Sequence, residues 1–228
     1  MLDIRKESQS TTNGYHWSAL LIMLLGSILL EPLFGSSFAI ELTSLALIEL
    51  TLVGAIFFSL KDLRFRLIGA IVTLIWFGCS LAAMLNGHLN GVVTLISTGM
   101  IIAAPIMTFR ALLARDQGDF ETLIGGVFGY LLLAVVWAMF YSHMIRWQPG
   151  SIEFVGDHDL WTSMVYFSLV TLTSLGYGDI LPIHPLARIA AGLQAVVGVL
   201  YIAVMIGSIV GNYRIEKFET EEKEGEGK

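Results

Sequence analysis

The segment 171–179 holds the residues whose types and spacing could do chemistry. It reads Thr-Leu-Thr-Ser-Leu-Gly-Tyr-Gly-Asp, so Gly176 and Gly178 flank Tyr177. Glycine adopts positive φ without a Cβ penalty, and a backbone that alternates in sense can aim successive carbonyl oxygens at one axis. Rings of such oxygens can replace the water around a dehydrated cation. The segment therefore indicates ligand chemistry by main-chain oxygens rather than covalent catalysis.

The amino-acid composition of the whole chain indicates whether this segment lies in a soluble protein or in a membrane protein. The 228-residue chain is 55% hydrophobic and 14% charged, with a mean hydropathy of +0.74. Soluble domains average about 25% charged residues, so most soluble enzymes and binding modules are excluded. The net charge of −6 does not suit a nucleic-acid partner, and one cysteine, Cys79, allows no disulfide within the chain. We expect an integral membrane protein.

Six apolar runs are each long enough for a helix to cross a membrane. A crossing needs about 20 apolar residues, and backbone groups in lipid must bond internally, so each run is predicted to be a helix. The uncharged stretch Leu67–Phe109 is too long for one crossing and divides at the turn-rich segment 86–91. The predicted spans are Trp17–Phe34, Phe38–Leu60, Leu67–Leu85, Val92–Leu113, Thr122–Ile145 and Ile189–Tyr213.

The basic residues predict the orientation of these spans, because Lys and Arg are enriched in cytoplasmic loops. With a cytoplasmic amino terminus, only Arg146 and Arg188 fall in outside segments. All the others of the 13 Lys and Arg residues fall in inside segments. Both termini are therefore predicted to be cytoplasmic.

Between the fifth and sixth spans lies an apolar run, Leu160–Thr173, that is too short to cross a membrane. It begins after two candidate N-caps, Asp157 and Asp159. We expect a re-entrant helix over 159–172 that enters from the outside and returns there. Non-helical backbone at membrane depth is tolerated only where it is buried in protein or lines a wet path, so the segment 171–179 is expected to carry the function.

The segment 171–179 resembles the pore signature of potassium channels, T-x-T-T-V-G-Y-G-D, and the resemblance covers about residues 122–213. It implies a filter at 173–179 in which four backbone carbonyl oxygens bind K⁺ and the Ser174 hydroxyl completes the innermost site. It also implies that Tyr177 points away from the ion path as a spacer and that Asp179 stands at the outer mouth. The four carbonyls are those of Ser174, Leu175, Gly176 and Tyr177, and the predicted filter residues are Thr173, Ser174, Leu175, Gly176, Tyr177 and Gly178.

Three positions depart from that family's pattern. Ser174 replaces the usual Thr and lacks the methyl group that restrains χ1, and Leu175 replaces the usual Val. Both residues keep the ligand oxygens, so we expect K⁺ selectivity to persist; weaker selectivity is the alternative. Val170 stands where some bacterial channels place a Glu that partners the Asp, so Tyr166 is predicted to hydrogen-bond Asp179 instead.

One such loop per chain cannot close a ring of carbonyl oxygens, so the resemblance implies a homotetramer. The inner helix, 187–213, would line the inner half of the pore. Gly198 lies where that family often has a hinge glycine, although a glycine in a membrane helix also permits close packing. Gln194, a polar side chain in the same span, either faces the cavity or bonds a neighbouring helix.

The first four spans copy the layout of voltage-gated channels without their charges. The fourth predicted span has no charged residue before Arg110, at its cytoplasmic end. A charge moved through 100 mV yields only about 2.3 kcal/mol, so steep voltage dependence is not expected. Glu49 lies well inside the second span, where it is either a functional group or a protonated or hydrogen-bonded carboxyl that faces other helices.

The predicted fold is an all-α membrane protein of six transmembrane helices plus a re-entrant pore helix and filter loop. Residues 1–121 form a four-helix membrane region, 122–213 the pore domain and 214–228 a charged cytoplasmic tail. We expect a K⁺-selective channel, with K⁺ as the permeant ion, no cofactor, and only membrane lipids and further copies of the chain as partners. The bacterial inner membrane is the expected location. The alternatives are a weakly selective or non-selective cation channel, and a pore gated by an unidentified ligand or lipid that acts on 1–121.

Overall fold

The structure is a computed structural model, and it describes residues 16–35, 37–59, 63–86, 106, 109–110, 120–154 and 159–207. This part of the chain is mostly helical. In chain order its elements are α1 His16–Phe34, α2 Phe38–Ser59, α3 Leu63–Asn86, α4 Phe120–Trp147, β1 Ile152–Phe154, α5 Leu160–Leu172, β2 Ile180–Pro182 and α6 Pro185–Tyr201, followed by a π-helical turn Ile202–Ile206.

Within the described residues, four stretches of helix are long and apolar enough to cross a membrane. They are His16–Phe34, Phe38–Ala55, Glu121–Trp147 and Pro185–Met205, which correspond to the first, second, fifth and sixth predicted spans. The third predicted span lies within α3, and nearly all of the fourth, Val92–Leu113, lies outside the described residues. The chain is thus an integral membrane protein, and six crossings stay a prediction.

The second half of the described chain is a helix–loop–helix unit in which the short helix α5 lies between α4 and α6 in sequence. Helix α5 covers Leu160–Leu172, and the Asp159 carboxylate caps it by accepting a hydrogen bond from the Thr162 backbone N–H at 3.0 Å. The cap satisfies one of the backbone N–H groups that every helix leaves unpaired in its first turn. The other candidate cap, Asp157, lies outside the described residues.

Two short strands, which the sequence did not predict, join the two ends of this unit. Strand β1 pairs antiparallel with β2, and the register places Ile152 opposite Pro182 and Phe154 opposite Ile180. Since Ile180 directly follows Asp179, this ribbon ties the end of the segment 171–179 to the chain that leaves α4.

Two apolar clusters hold the helices together. In the first, Trp17, Leu20 and Leu24 of α1 pack with Phe128 and Leu132 of α4, and the Trp17 and Phe128 ring centroids lie 5.7 Å apart. The second joins α4, α5 and α6 and includes Tyr141, Met164, Phe167 and Ala187. Because lipid tails are as apolar as leucine, these contacts stabilise the fold through close packing rather than through loss of water contact.

Candidate functional site: the loop after helix α5

The loop begins where α5 unwinds. The Ser174 backbone N–H donates to the Thr171 carbonyl at 3.0 Å, and the Leu175 N–H donates to the Val170 carbonyl at 2.9 Å. The Thr173 hydroxyl donates back to the Leu169 carbonyl at 2.8 Å. These bonds satisfy the last carbonyls of the helix and fix the direction in which the chain leaves it.

The sign of φ alternates along the loop. Ser174 has φ +58°, Gly176 +58° and Gly178 +83°, while Leu175 and Tyr177 between them keep negative φ. Among the described residues, Ser174 is the only non-glycine residue with positive φ, a conformation that the sequence predicted for the two glycines alone. A backbone that alternates in this way can turn successive carbonyl oxygens toward the same side of the chain.

One side of this loop is open in the single chain. The residues from Thr173 to Asp179 are all exposed, and Leu175 and Tyr177 are 56% and 68% exposed. Large exposed apolar and aromatic side chains that lie together can mark a surface for contact with other protein or with lipid.

The other side of the loop contacts Tyr166 of α5. The Tyr166 hydroxyl donates to Asp179 Oδ2 at 2.7 Å, which is the hydrogen bond that the sequence predicted. The Tyr166 ring also stacks on Tyr177, with centroids 6.4 Å apart and ring planes 2° from parallel. One side chain of α5 therefore contacts both the glycine-flanked tyrosine and the carboxylate that ends the loop.

A cavity of about 380 Å³ lies between α5 and the end of the loop. It is lined by Phe154, Asp159, Thr162, Ser163, Tyr166, Asp179 and Ile180. Its two carboxylates already accept the hydrogen bonds from Thr162 and Tyr166 described above. The described ranges contain no group of three or more His, Cys, Asp or Glu side chains arranged to hold a metal ion.

Beyond the loop, the chain is fixed at the start of α6. The Ser151 carbonyl accepts hydrogen bonds from the backbone N–H groups of Ile183 and His184, at 2.9 and 3.1 Å. His184 Nδ1 then caps α6 by accepting from the Leu186 N–H at 3.2 Å, one residue after Pro185 at the first helical position. Both ends of the loop are therefore held by backbone hydrogen bonds.

Gly198 and Gln194 of α6 both contact α5. A Cβ atom at Gly198 would lie 2.0 Å from the Leu172 carbonyl oxygen, so this glycine allows close approach of the two helices. Gln194 is fully buried and hydrogen-bonded to Tyr141 and Ser168. The structure thus has Gln194 bonded to neighbouring helices, and it has the close-packing contact that was one of the two interpretations of Gly198.

Three polar residues that hold α5 in place were not predicted from the sequence. Tyr130 donates to the Leu172 carbonyl at 3.1 Å, and Tyr141 and Ser168 bond Gln194. Tyrosine and serine are frequent in helices. What distinguishes these three residues from others of their type is only that they bond to partners 26 to 53 residues away in the sequence. No local sequence signal marks them.

Glu49, the other polar residue singled out in the sequence, lies in α2. It is only 6% exposed, and neither carboxyl oxygen has a hydrogen-bond partner in the described part of the chain. No hydrogen bond connects it to α5 or to the loop, so the structure gives Glu49 no role at this site.

Helices α4 and α6 are thus joined by a short helix and a loop of alternating backbone handedness, an arrangement that would suit an ion channel. Comparison with known proteins agrees, since residues 125–213 match the family model described as "Ion channel". No solved structure matches the chain.

Two curated relatives are potassium channels. The chain is 41% identical over 49 residues to the potassium voltage-gated channel protein shk-1 of Caenorhabditis elegans, which is 22% of this chain and 9% of that protein. It is 32% identical over 109 residues to the inward rectifier potassium channel Kirbac3.1 of Paramagnetospirillum magnetotacticum, which is 46% of this chain and 33% of that protein. The matched parts therefore span a third or less of these relatives. The resemblance found in the sequence is confirmed, because parts of the chain are similar to an ion-channel family model and to two potassium channels.

Proposed function

We propose that the chain is one subunit of a homotetrameric potassium channel. In this proposal, the carbonyl oxygens of Ser174, Leu175, Gly176 and Tyr177 replace the hydration shell of K⁺, and the ion moves passively along its electrochemical gradient. The observation that carries the proposal is the alternation of φ over 174–178, because such a backbone can turn carbonyl oxygens of neighbouring residues toward one side. The similarity of residues 125–213 to the ion-channel family model, and of parts of the chain to two potassium channels, supports it.

The electrostatics of α5 favour a cation at this place. The carboxyl end of α5 leads directly into the loop, and a helix carries about half a negative elementary charge at its carboxyl end. A dehydrated cation near the start of the loop would be stabilised by that partial charge. Asp179, at the far end of the loop and exposed, adds a full negative charge.

The geometry of a closed ring and the exposed face of α6 support the proposed tetramer. One loop supplies one oxygen to each level of a ring, so four copies are needed to surround an ion. In a single chain, α6 leaves a stripe of apolar side chains more than half exposed, at a spacing of four, three and four residues: Ile189, Leu193, Val196 and Leu200. Four copies around a common axis would cover part of this stripe and turn the rest toward a central cavity.

The remaining features of the proposal concern the whole chain. We infer six crossings with both termini in the cytoplasm, a pore domain over 122–213 with its inner helix from 187, and a bacterial inner-membrane location. Steep voltage dependence is not part of the proposal, because no charge precedes Arg110 in the fourth predicted span. Neither a cofactor nor covalent chemistry is needed.

Flux measurements on reconstituted protein test this function. Liposomes that contain the purified chain and a K⁺ gradient should lose the gradient faster than protein-free liposomes, and barium should block the flux. If the purified protein is monomeric in detergent solution, or if the liposomes show no barium-sensitive flux, the proposal is contradicted. If Na⁺ flux equals K⁺ flux, the alternative of a non-selective cation channel, based on Ser174 and Leu175, takes its place.

The hydrogen bond between Tyr166 and Asp179 leads to a prediction about how long the pore conducts. Tyr166→Phe removes the hydroxyl at 2.7 Å from Asp179 and keeps the ring that stacks on Tyr177. Because the pair is exposed, we expect a modest effect: K⁺ current should decay about threefold faster than in the wild-type channel. Current decay after a step of K⁺ concentration measures it.

Asp179→Asn provides the control for this prediction. If the hydroxyl acts through the carboxylate, the double variant Tyr166→Phe/Asp179→Asn should decay no faster than Asp179→Asn alone. Decay at the wild-type rate in Tyr166→Phe would show that the bond does not support the conducting loop.

A further inference from the structure

A buried polar network joins the three helices α4, α5 and α6. The Tyr141 hydroxyl of α4 donates to Gln194 Oε1 of α6 at 2.8 Å. Gln194 Nε2 donates to both the carbonyl and the hydroxyl oxygen of Ser168 in α5, at 3.0 and 2.7 Å. The Ser168 hydroxyl donates in turn to the Ala134 carbonyl of α4 at 2.6 Å. All four residues are fully buried.

The chemistry of the partners fixes the direction of every bond in this network. The Ser168 carbonyl can only accept, so the Gln194 amide must present its nitrogen to Ser168 and its oxygen to Tyr141. The Ser168 hydroxyl gives its proton to Ala134 and therefore accepts from Gln194. Each polar group is satisfied in one arrangement, so this single side chain sets how α6, α5 and α4 sit against one another.

The network acts on the helix that leads into the loop. Ser168 precedes Ser174 by six residues, and the next contact along α5 is the Leu172 carbonyl, which meets the Tyr130 hydroxyl and the backbone of Gly198. Polar bonds between membrane helices face little competition from water. The position of α5 relative to α4 and α6 therefore depends on Gln194. The position of the loop oxygens depends on it in turn.

We propose that Gln194 is a positioning residue for ion selectivity. Its amide fixes the position of α5 relative to α4 and α6, and that position sets the size of the oxygen ring. The inference rests on the proposed channel function and adds a residue that lies outside the loop. If the hydrogen bonds from Gln194 to Ser168 are lost while the helices still pack, the loop oxygens can relax around a smaller ion. Discrimination between K⁺ and Na⁺ then falls. K⁺ conduction itself need not fall.

A pair of variants separates the effect of losing the Gln194–Ser168 hydrogen bonds from a general loss of protein stability. Gln194→Leu alone leaves the buried Tyr141 hydroxyl without a partner, a change that can prevent folding. The double variant Gln194→Leu/Tyr141→Phe removes both groups and leaves no unpaired side-chain atom of the pair, so its stability should approach that of Tyr141→Phe. Tyr141→Phe leaves Gln194 Oε1 without its donor but keeps both bonds from Gln194 to Ser168, which the double variant lacks.

The experiment measures the K⁺ to Na⁺ permeability ratio of full-length protein in liposomes. Tyr141→Phe should stay within about twofold of wild type, because the bonds from Gln194 to Ser168 remain. The double variant should lose selectivity by about tenfold, the size expected for loss of a buried hydrogen bond. Tyr201→Phe is the matched control, since it removes a buried bond from α6 to the Gly126 carbonyl of α4, at 2.9 Å, that does not involve α5.

The outcomes separate this inference from the function on which it rests. A selective wild-type channel and an equally selective double variant would overturn the role of Gln194 alone. An equal loss of selectivity in Tyr201→Phe would also overturn it, because any loosening of α6 would then suffice. A wild-type protein without K⁺ selectivity would overturn both proposals.

Discussion

Replacing Gly176 by alanine should abolish selective K⁺ flux, with a loss of at least about 100-fold. Gly176 has φ +58°, and a Cβ atom there would meet nothing within 4 Å in the chain. The loss would therefore come from backbone strain rather than from a clash. An L-residue in the left-handed region costs roughly 1–2 kcal/mol. Four copies in one ring raise this strain to roughly 4–8 kcal/mol, which exceeds the free energy that corresponds to a 100-fold loss of flux.

Gly150→Ala is the matched control for this prediction. Gly150 has φ +80° and equally open surroundings, but it lies in the turn between α4 and β1, outside the loop. Its alanine variant should suffer the same local strain and keep K⁺ flux within about twofold of wild type. Both variants should be assayed in the same liposomes. Selective K⁺ conduction by Gly176→Ala would remove the assignment of this loop as the filter.

Replacing Gly198 by alanine should destabilise the protein by about 3 kcal/mol or more per chain. The added Cβ would lie 2.0 Å from the Leu172 carbonyl oxygen and 2.9 Å from its carbon. Both atoms belong to the backbone at the end of α5, so no rotamer change can relieve the overlap, and α6 must move away from α5. Thermal unfolding of the detergent-solubilised protein measures the effect.

Gly192→Ala is the control within the same helix. Gly192 is exposed, and an added Cβ there would meet nothing within 4 Å. Because alanine is a better helix former than glycine by about 1 kcal/mol, stability should not fall. A Gly198→Ala protein as stable as wild type but altered in channel opening would favour the hinge role over close packing.

The sequence predicted the elements around the loop well, because their signals are local. The run Leu160–Thr173 differs by one residue from the observed α5, since Asp159 caps its start and the glycines prevent its continuation. The hydrogen bond from Tyr166 to Asp179 was also predicted. Val170 offers no carboxyl group to Asp179, which favoured the Tyr166 hydroxyl as its partner.

The features that the sequence did not predict depend on which helix faces meet. Gln194 pairs with Tyr141 across 53 residues and with Ser168 across 26, and nothing local distinguishes these from other polar residues in membrane helices. Ser174 has positive φ although serine shows no preference for it, because the alternation of the loop imposes that conformation. The three-residue strands β1 and β2 are too short for an alternating pattern to be recognised.

The reversal potential of the reconstituted channel, with K⁺ on one side of the membrane and Na⁺ on the other, tests the central claim most directly. If backbone oxygens of four copies take the place of the K⁺ hydration shell at 174–178, the potential should lie far from zero, with the K⁺ side negative. A reversal potential near zero, with both ions carrying equal current, would contradict it.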